Sequence, residues 1–300
     1  MKHLTLFVSL FFLIFISVNG QEGGLEKILK PGAQLEKLAD GFQFTEGPSA
    51  DPDGNICFTD QPNDRILFWN SKSGLSVFME PAGRSNGLAF DENGNLFSCA
   101  DEQTWLWMIT PDKKIEKLVN SYNGKPLNGP NDLWICPGGG IYFTDPFYKR
   151  PWWDYSDMPQ EKQCVYYLNP DRNTLVRVEE DLLQPNGIVG TPDGKRLFVA
   201  DISGNKTWSY TINPDGSLSD KTLFCEMGSD GMTIDSEGNI YLTGKGVTVF
   251  DKTGSRIGNI PVPENWTANV CFGDRNLKSL YITASKGFYR IRLKVKGTKG

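Results

Sequence analysis

Six residues spread along the chain repeat one chemical character at nearly even spacing. Glu46, Asn86, Asn131, Asn186, Asp230 and Asn269 stand 40, 45, 55, 44 and 39 residues apart. Each carries a side-chain oxygen able to donate a lone pair, and none is apolar. Carboxylates among amides, with no imidazole or thiolate, form a hard oxygen set. Such a set suits Ca²⁺, with Mg²⁺ or Mn²⁺ next and Zn²⁺ poorly matched. Glu46 and Asp230 neutralise a doubly charged ion, and Asn131 and Asn186 complete four protein ligands. Positions then stay open for water and a substrate. The competing reading is that Asn-Gly and Asp-Gly are turn chemistry. It fits Asn86 and Asn269, but not Glu46, and leaves a second glycine turn eight residues later unexplained.

The rest of the composition narrows the chemistry. The one histidine, His3, lies in a segment that reads as a leader. Lys2 and His3 precede an apolar run from Leu4 to Val18, followed by Asn19-Gly20, so residues 1–20 read as a secretory signal peptide. The run is too short to span a bilayer comfortably, and no second apolar stretch follows, so no membrane span is expected in the mature chain. That chain is expected to begin near Gln21 and to be secreted or periplasmic. Without histidine it has no Ser-His-Asp triad, Cys-His pair or His-ligated zinc. General acid–base work falls to carboxylates, Lys, Tyr or metal-bound water. A net charge of −5 argues against nucleic acid and anionic membrane surfaces. Cys57, Cys99, Cys136, Cys164, Cys225 and Cys271 are scattered without a CxxC, and are expected to be mostly buried thiols with at most one bridge.

The elements that must position these groups follow from the same repeat. In five of the six copies a glycine falls eight residues after the polar position: Gly54, Gly94, Gly139, Gly194 and Gly238; the sixth has Asn276 near that place. Stretches such as Asp51-Pro52-Asp53-Gly54 and Asp235-Ser236-Glu237-Gly238 read as hairpin turns. β-Branched and aromatic runs follow, among them Ile56-Cys57-Phe58-Thr59, Ile141-Tyr142-Phe143-Thr144 and Ile240-Tyr241-Leu242-Thr243. Four strands per unit match a propeller blade. The reading is all-β, one six-bladed β-propeller over residues 21–300, with a segment around Leu35 to Ala39 free to close the ring. A two-domain β-sandwich is the alternative. In a propeller the innermost strands run the same way along the axis, so the six polar positions gather at one end of the channel.

The motifs Phe44-Thr45-Glu46-Gly47-Pro48, Asn128-Gly129-Pro130-Asn131-Asp132-Leu133, Ile141-Tyr142-Phe143-Thr144-Asp145-Pro146, Gln184-Pro185-Asn186-Gly187-Ile188 and Ser229-Asp230-Gly231-Met232 resemble, in this order, the SMP-30/gluconolactonase/luciferin-regenerating family. The wording is similar to its bacterial gluconolactonase branch, and the resemblance covers essentially the whole mature chain. It implies metal ligation by Glu46, Asn186 and Asp230, with Asn131 touching metal or substrate. It also implies calcium- or zinc-dependent lactone hydrolysis with Asp230 as the candidate base. In the animal branch an Arg that helps bind substrate lies two residues before the Asn, where this chain has Gly129, so sugar specificity does not carry over.

The expected function is metal-dependent hydrolysis of a small sugar-type lactone. The metal polarises the carbonyl, Asp230 directs or deprotonates water, and Asn131 and Asn186 fix the substrate oxygen. The longest repeat contains Pro146-Phe147-Tyr148-Lys149-Arg150-Pro151-Trp152-Trp153-Asp154-Tyr155. As a lid it would stack Trp152 and Trp153 on the substrate, while Lys149 or Arg150 meets a carboxylate. Otherwise it is a packed surface loop. Asn86 joins the expected substrate contacts. Two rivals stay open, a metal-stabilised binding scaffold and a phosphotriesterase-like hydrolase.

Overall fold

The structure is a computed structural model that describes residues 24–298, so the expected signal peptide lies outside the described residues. Six four-stranded antiparallel sheets follow one another along the chain. In the first five blades the innermost strands are Thr45–Ala50, Ser85–Phe90, Leu133–Ile135, Pro185–Gly190 and Met232–Ile234. Each pairs with the next strand in sequence, and so on outward. The sixth blade takes three strands, Asn269–Gly273, Ser279–Ala284 and Gly287–Arg292, from the end of the chain. Its fourth, Glu36–Asp40, comes from the beginning and pairs antiparallel with Gly287–Arg292. Ring closure by the segment near Leu35 to Ala39 is therefore borne out, one residue displaced.

The second strands of the first, third and fifth blades open on apolar runs and are buried throughout because neighbouring blades cover both of their faces. Ile56–Asp60, Ile141–Asp145 and Ile240–Gly244 are buried at every residue. The outer strands alternate or lie exposed, as in Gly74–Met79. The turn glycines Gly54, Gly94, Gly139, Gly194 and Gly238 all have positive φ. In three turns the leading aspartate fixes the bend with its own side chain. Asp51, Asp91 and Asp235 accept backbone N–H groups two and four residues on and the Asn side chain at the latter position.

A second aspartate device works at the other end of three blades. Asp60 accepts the backbone N–H groups of Gln43 and Phe44. Asp145 does the same for Asn128 and Gly129, and Asp201 for Leu183 and Gln184. Each ties the loop entering an innermost strand to the end of the second strand of the same blade. These loops lead directly into the residues that face the axis, Glu46, Asn131 and Asn186.

All six cysteines are free, four of them buried; the mostly-buried-thiol reading holds and the bridge does not form. No helix among the described residues is long and apolar enough to cross a membrane.

Candidate functional site

The polar positions meet at the end of the channel where the innermost strands begin, and the glycines beside them show why. A Cβ on Gly87 would fall 2.5 Å from the Asn131 carbonyl oxygen, and one on Gly187 2.8 Å from that of Asp230. Innermost strands of adjacent blades pass shoulder to shoulder, so at Gly47, Gly87, Gly187 and Gly231 the residue after the polar position has no room for a side chain. The Asn-Gly pairs here are close approaches, not hairpin turns. Glu46, Asn86, Asn131 and Asn186 are buried and Asp230 half-buried.

The sixth blade corrects the register by one residue. The Asn131 N–H donates to Thr144 O at 2.9 Å, and the equivalent bond in the sixth blade is Ala268 N–H to Thr283 O, also 2.9 Å. Ala268 therefore completes the ring. Asn269 lies one layer deeper, where it abuts Gly231 and reaches toward Asp132 Oδ2 at 3.4 Å. Asp132 and Asn269 line a separate cavity of about 450 Å³ at the opposite mouth, with Trp134, Ile188 and Met232; Glu46, Asn186 and Asp230 do not line it.

Asp230 is held at both oxygens. Asn186 Nδ2 donates to Oδ1 at 2.8 Å and Trp266 Nε1 to Oδ2 at 2.6 Å. Asn186 Nδ2 also donates to the Tyr148 hydroxyl at 2.8 Å. Glu46 Oε2 takes the Gly47 N–H at 3.0 Å. Burial, and then the charge of Asp230, pushes the Glu46 carboxyl well above its usual range; burial also raises Asp230, against Trp266 and Asn186.

The set fits a hard cation. The Oδ1 atoms of Asn86 and Asn186 are buried and accept no hydrogen bond. Unpaired buried acceptors of this kind cost about 1–3 kcal/mol each, and beside them two carboxylates oppose one another. Among the described residues no three His, Cys, Asp or Glu side chains cluster as a metal site, so amide oxygens have to supply part of the donor set. Asn131 stands in the ring with its carbonyl taking the Gly87 N–H at 2.8 Å.

The long third-blade insertion lies over this mouth, linked to it through Tyr148. Trp153 is stacked between Phe147 and Tyr155, and its Nε1 donates to Asp101 O and Glu102 O at 3.1 and 3.2 Å. Trp152 packs against the guanidinium groups of Arg84 and Arg150. Both indoles thus have ring faces engaged by the protein itself. Lys149 is exposed, while Arg150 Nε lies 2.7 Å from Asp101 Oδ2. Burial lifts the Asp101 carboxyl to about 6, with Arg150 pulling it down. The insertion also explains Gly129, where a Cβ would sit 2.8 Å from Asp101 Oδ1 and 2.9 Å from the Trp153 ring.

Three contributors escaped the sequence reading as site residues: Trp266, Tyr148 and Asp101. Trp266 sits two residues before a ring position occupied by alanine, so no polar residue marked that blade. Tyr148 was visible only as one aromatic of a rich segment. A signal for Asp101 exists in its place after the second strand, one residue beyond the repeated aspartate.

Fold and site together define a six-bladed propeller with an oxygen-donor ring at one end of its axis and a third-blade insertion above it. The SMP-30/Gluconolactonase/LRE-like region matches residues 44–286, and the chain belongs to that family. It is 30% identical to a gluconolactonase of Zymomonas mobilis over 91% of this chain and 85% of the relative. A pentonolactonase of Haloferax volcanii is 31% identical, covering 81% of each. A solved gluconolactonase from Xanthomonas campestris superposes with a TM-score of 0.84 at 29% identity, covering 91% of this chain and 93% of that one.

Proposed function

We propose that this chain hydrolyses small sugar-type lactones with a divalent cation held by Glu46, Asn186 and Asp230 and approached by Asn131. The observation that carries the reading is the axial ring itself, the buried Glu46 carboxylate and the half-buried Asp230 carboxylate repelling one another beside amide oxygens that lack any protein donor. The named activities of the gluconolactonase and pentonolactonase relatives support the substrate class. When bound, such a cation (Ca²⁺ first, with Mg²⁺, Mn²⁺ or Zn²⁺ as alternatives) supplies charge stabilisation at the lactone carbonyl oxygen.

The residues do the remainder. Asp230, fixed from both sides by Asn186 and Trp266, aims a water at the carbonyl carbon and receives or relays its proton. Water adds, the ring C–O bond breaks, and the alkoxide leaves protonated, giving an open hydroxy acid. Asn131 and Asn86 present their amides to the substrate's oxygens. The third-blade insertion shields the mouth from bulk water.

Acid release by residues 21–300 on a panel of aldono- and acyl-lactones, after chelation and with each ion restored, tests the reading. Hydrolysis that disappears on chelation and returns with Ca²⁺ is expected. Undiminished hydrolysis after chelation overturns the metal assignment. A lowered melting temperature with no hydrolysis of any lactone overturns the enzyme reading in favour of a binding scaffold. Residues 1–20, read as a leader, support export of this chemistry from the cytoplasm; a mature N-terminus at or near Gln21 in the exported protein tests that.

A further inference from the structure

The aspartate that ties down the entering loop in the first, third and fourth blades is missing from the second. Thr45 pairs with Asp60 and Pro185 with Asp201, but the equivalent partner of Ser85 is Ala100. The loop N–H groups of Ala82 and Arg84 are accepted instead by Asp64 of the first blade. The acid has moved one residue on, to Asp101, which is 1% exposed. There its Oδ2 accepts Gln61 Nε2 at 3.0 Å and faces Arg150 Nε at 2.7 Å. A carboxylate that elsewhere serves the backbone has been turned to hold one arginine of the insertion.

Arg150 is held at two further points. Its guanidinium lies 5.3 Å from the Tyr148 ring centre and 5.6 Å from that of Trp152, and its side chain is only 18% exposed. Tyr148 in turn meets Asn186 in the ring. The arginine's charge reaches Glu46 and Asp230, opposing the rise in both.

The mouth is otherwise rich in acceptors, and a guanidinium offers only donors, in a planar fork. The matching ligand surface is a set of adjacent hydroxyl oxygens, or the carboxylate formed when the lactone opens. We propose that Arg150 selects polyhydroxylated lactones over hydroxyl-free ones, and that Asp101 is the positioning residue that fixes it. The proposal rests on the lactonase reading above and names its specificity residue.

The test compares an aldono-δ-lactone with δ-valerolactone, each by KM, or by inhibition constant where turnover is absent. Arg150→Met is expected to cost at least about tenfold more in kcat/KM on the hydroxylated lactone than on the hydroxyl-free one. The same variant weakens inhibition by the aldonate product. Asp101→Asn moves the preference the same way, and Asp101→Glu recovers part of it; circular dichroism and melting temperature confirm that each variant folds. Equal losses on both lactones, or an unchanged preference with Arg150→Met and Arg150→Lys, overturn the proposal while leaving the lactonase reading standing. A wild-type chain that hydrolyses neither lactone overturns the parent reading and this one with it.

Discussion

Trp266 and Asn186 grip opposite oxygens of Asp230, which leaves that carboxylate little freedom to wander. Asp230→Asn should abolish lactone turnover while thermal unfolding stays cooperative; undiminished turnover would remove Asp230 from the mechanism. Trp266→Phe keeps the ring and deletes one hydrogen bond to a charged group, worth about 1.5–3 kcal/mol. A fall of roughly 10- to 100-fold in kcat is expected, with the melting temperature lowered by roughly 3–12 °C and unfolding still cooperative. Glu46, Asn186 and Asp230 were readable because repetition along the chain becomes coincidence in space around an axis. Asn269 was misread by one residue, because a period of about forty tolerates a slip that only the ladder hydrogen bonds expose. Trp266 was invisible for a related reason: a residue that acts through a neighbouring blade leaves no mark in its own repeat.

At the scale of strands and loops, two devices carry the site. The first is the set of glycines where innermost strands touch. Gly87→Ala puts a methyl against the Asn131 backbone, and overpacking of that kind costs about 1–3 kcal/mol. A lower melting temperature together with weakened activity is expected, since the displaced strand carries Asn131. The second is the aspartate clamp. Burial pushes the Asp145 carboxyl up to about 7, against the two N–H bonds that pull it down. Its folded value lies above the unfolded one, so the folded state keeps the proton longer. That contribution to stability is complete below a pH of about 4 and is lost as pH rises through about 7. The unfolding free energy of the wild type minus that of Asp145→Asn should therefore fall across that window; a pH-independent difference would contradict the assignment. Hairpin turns and buried second strands were legible in the sequence because glycine and apolar runs report backbone geometry directly. The interior of the third-blade insertion was not, because an irregular loop has no period and its contacts lie on other blades.

For the molecule as a whole, ring closure sets the stability. Deleting residues 24–40 removes the outer strand of the sixth blade and bares the edge of Gly287–Arg292, so a lower melting temperature and concentration-dependent association are expected by calorimetry and light scattering. The blade count and the closing segment were both readable from the sequence, since six units nearly exhaust the chain and leave one strand's worth ahead of the first.

That closure also fixes a timetable. Glu36–Asp40 is among the first parts of the described chain to be synthesised, and its partner Gly287–Arg292 among the last. With about 250 residues between them, at roughly 5–20 residues per second, the early strand waits on the order of 10–50 seconds with its ladder groups unmet. Five blades can be built in sequence as they emerge, but the circle is sealed only after the polymer is finished, by its two ends finding each other.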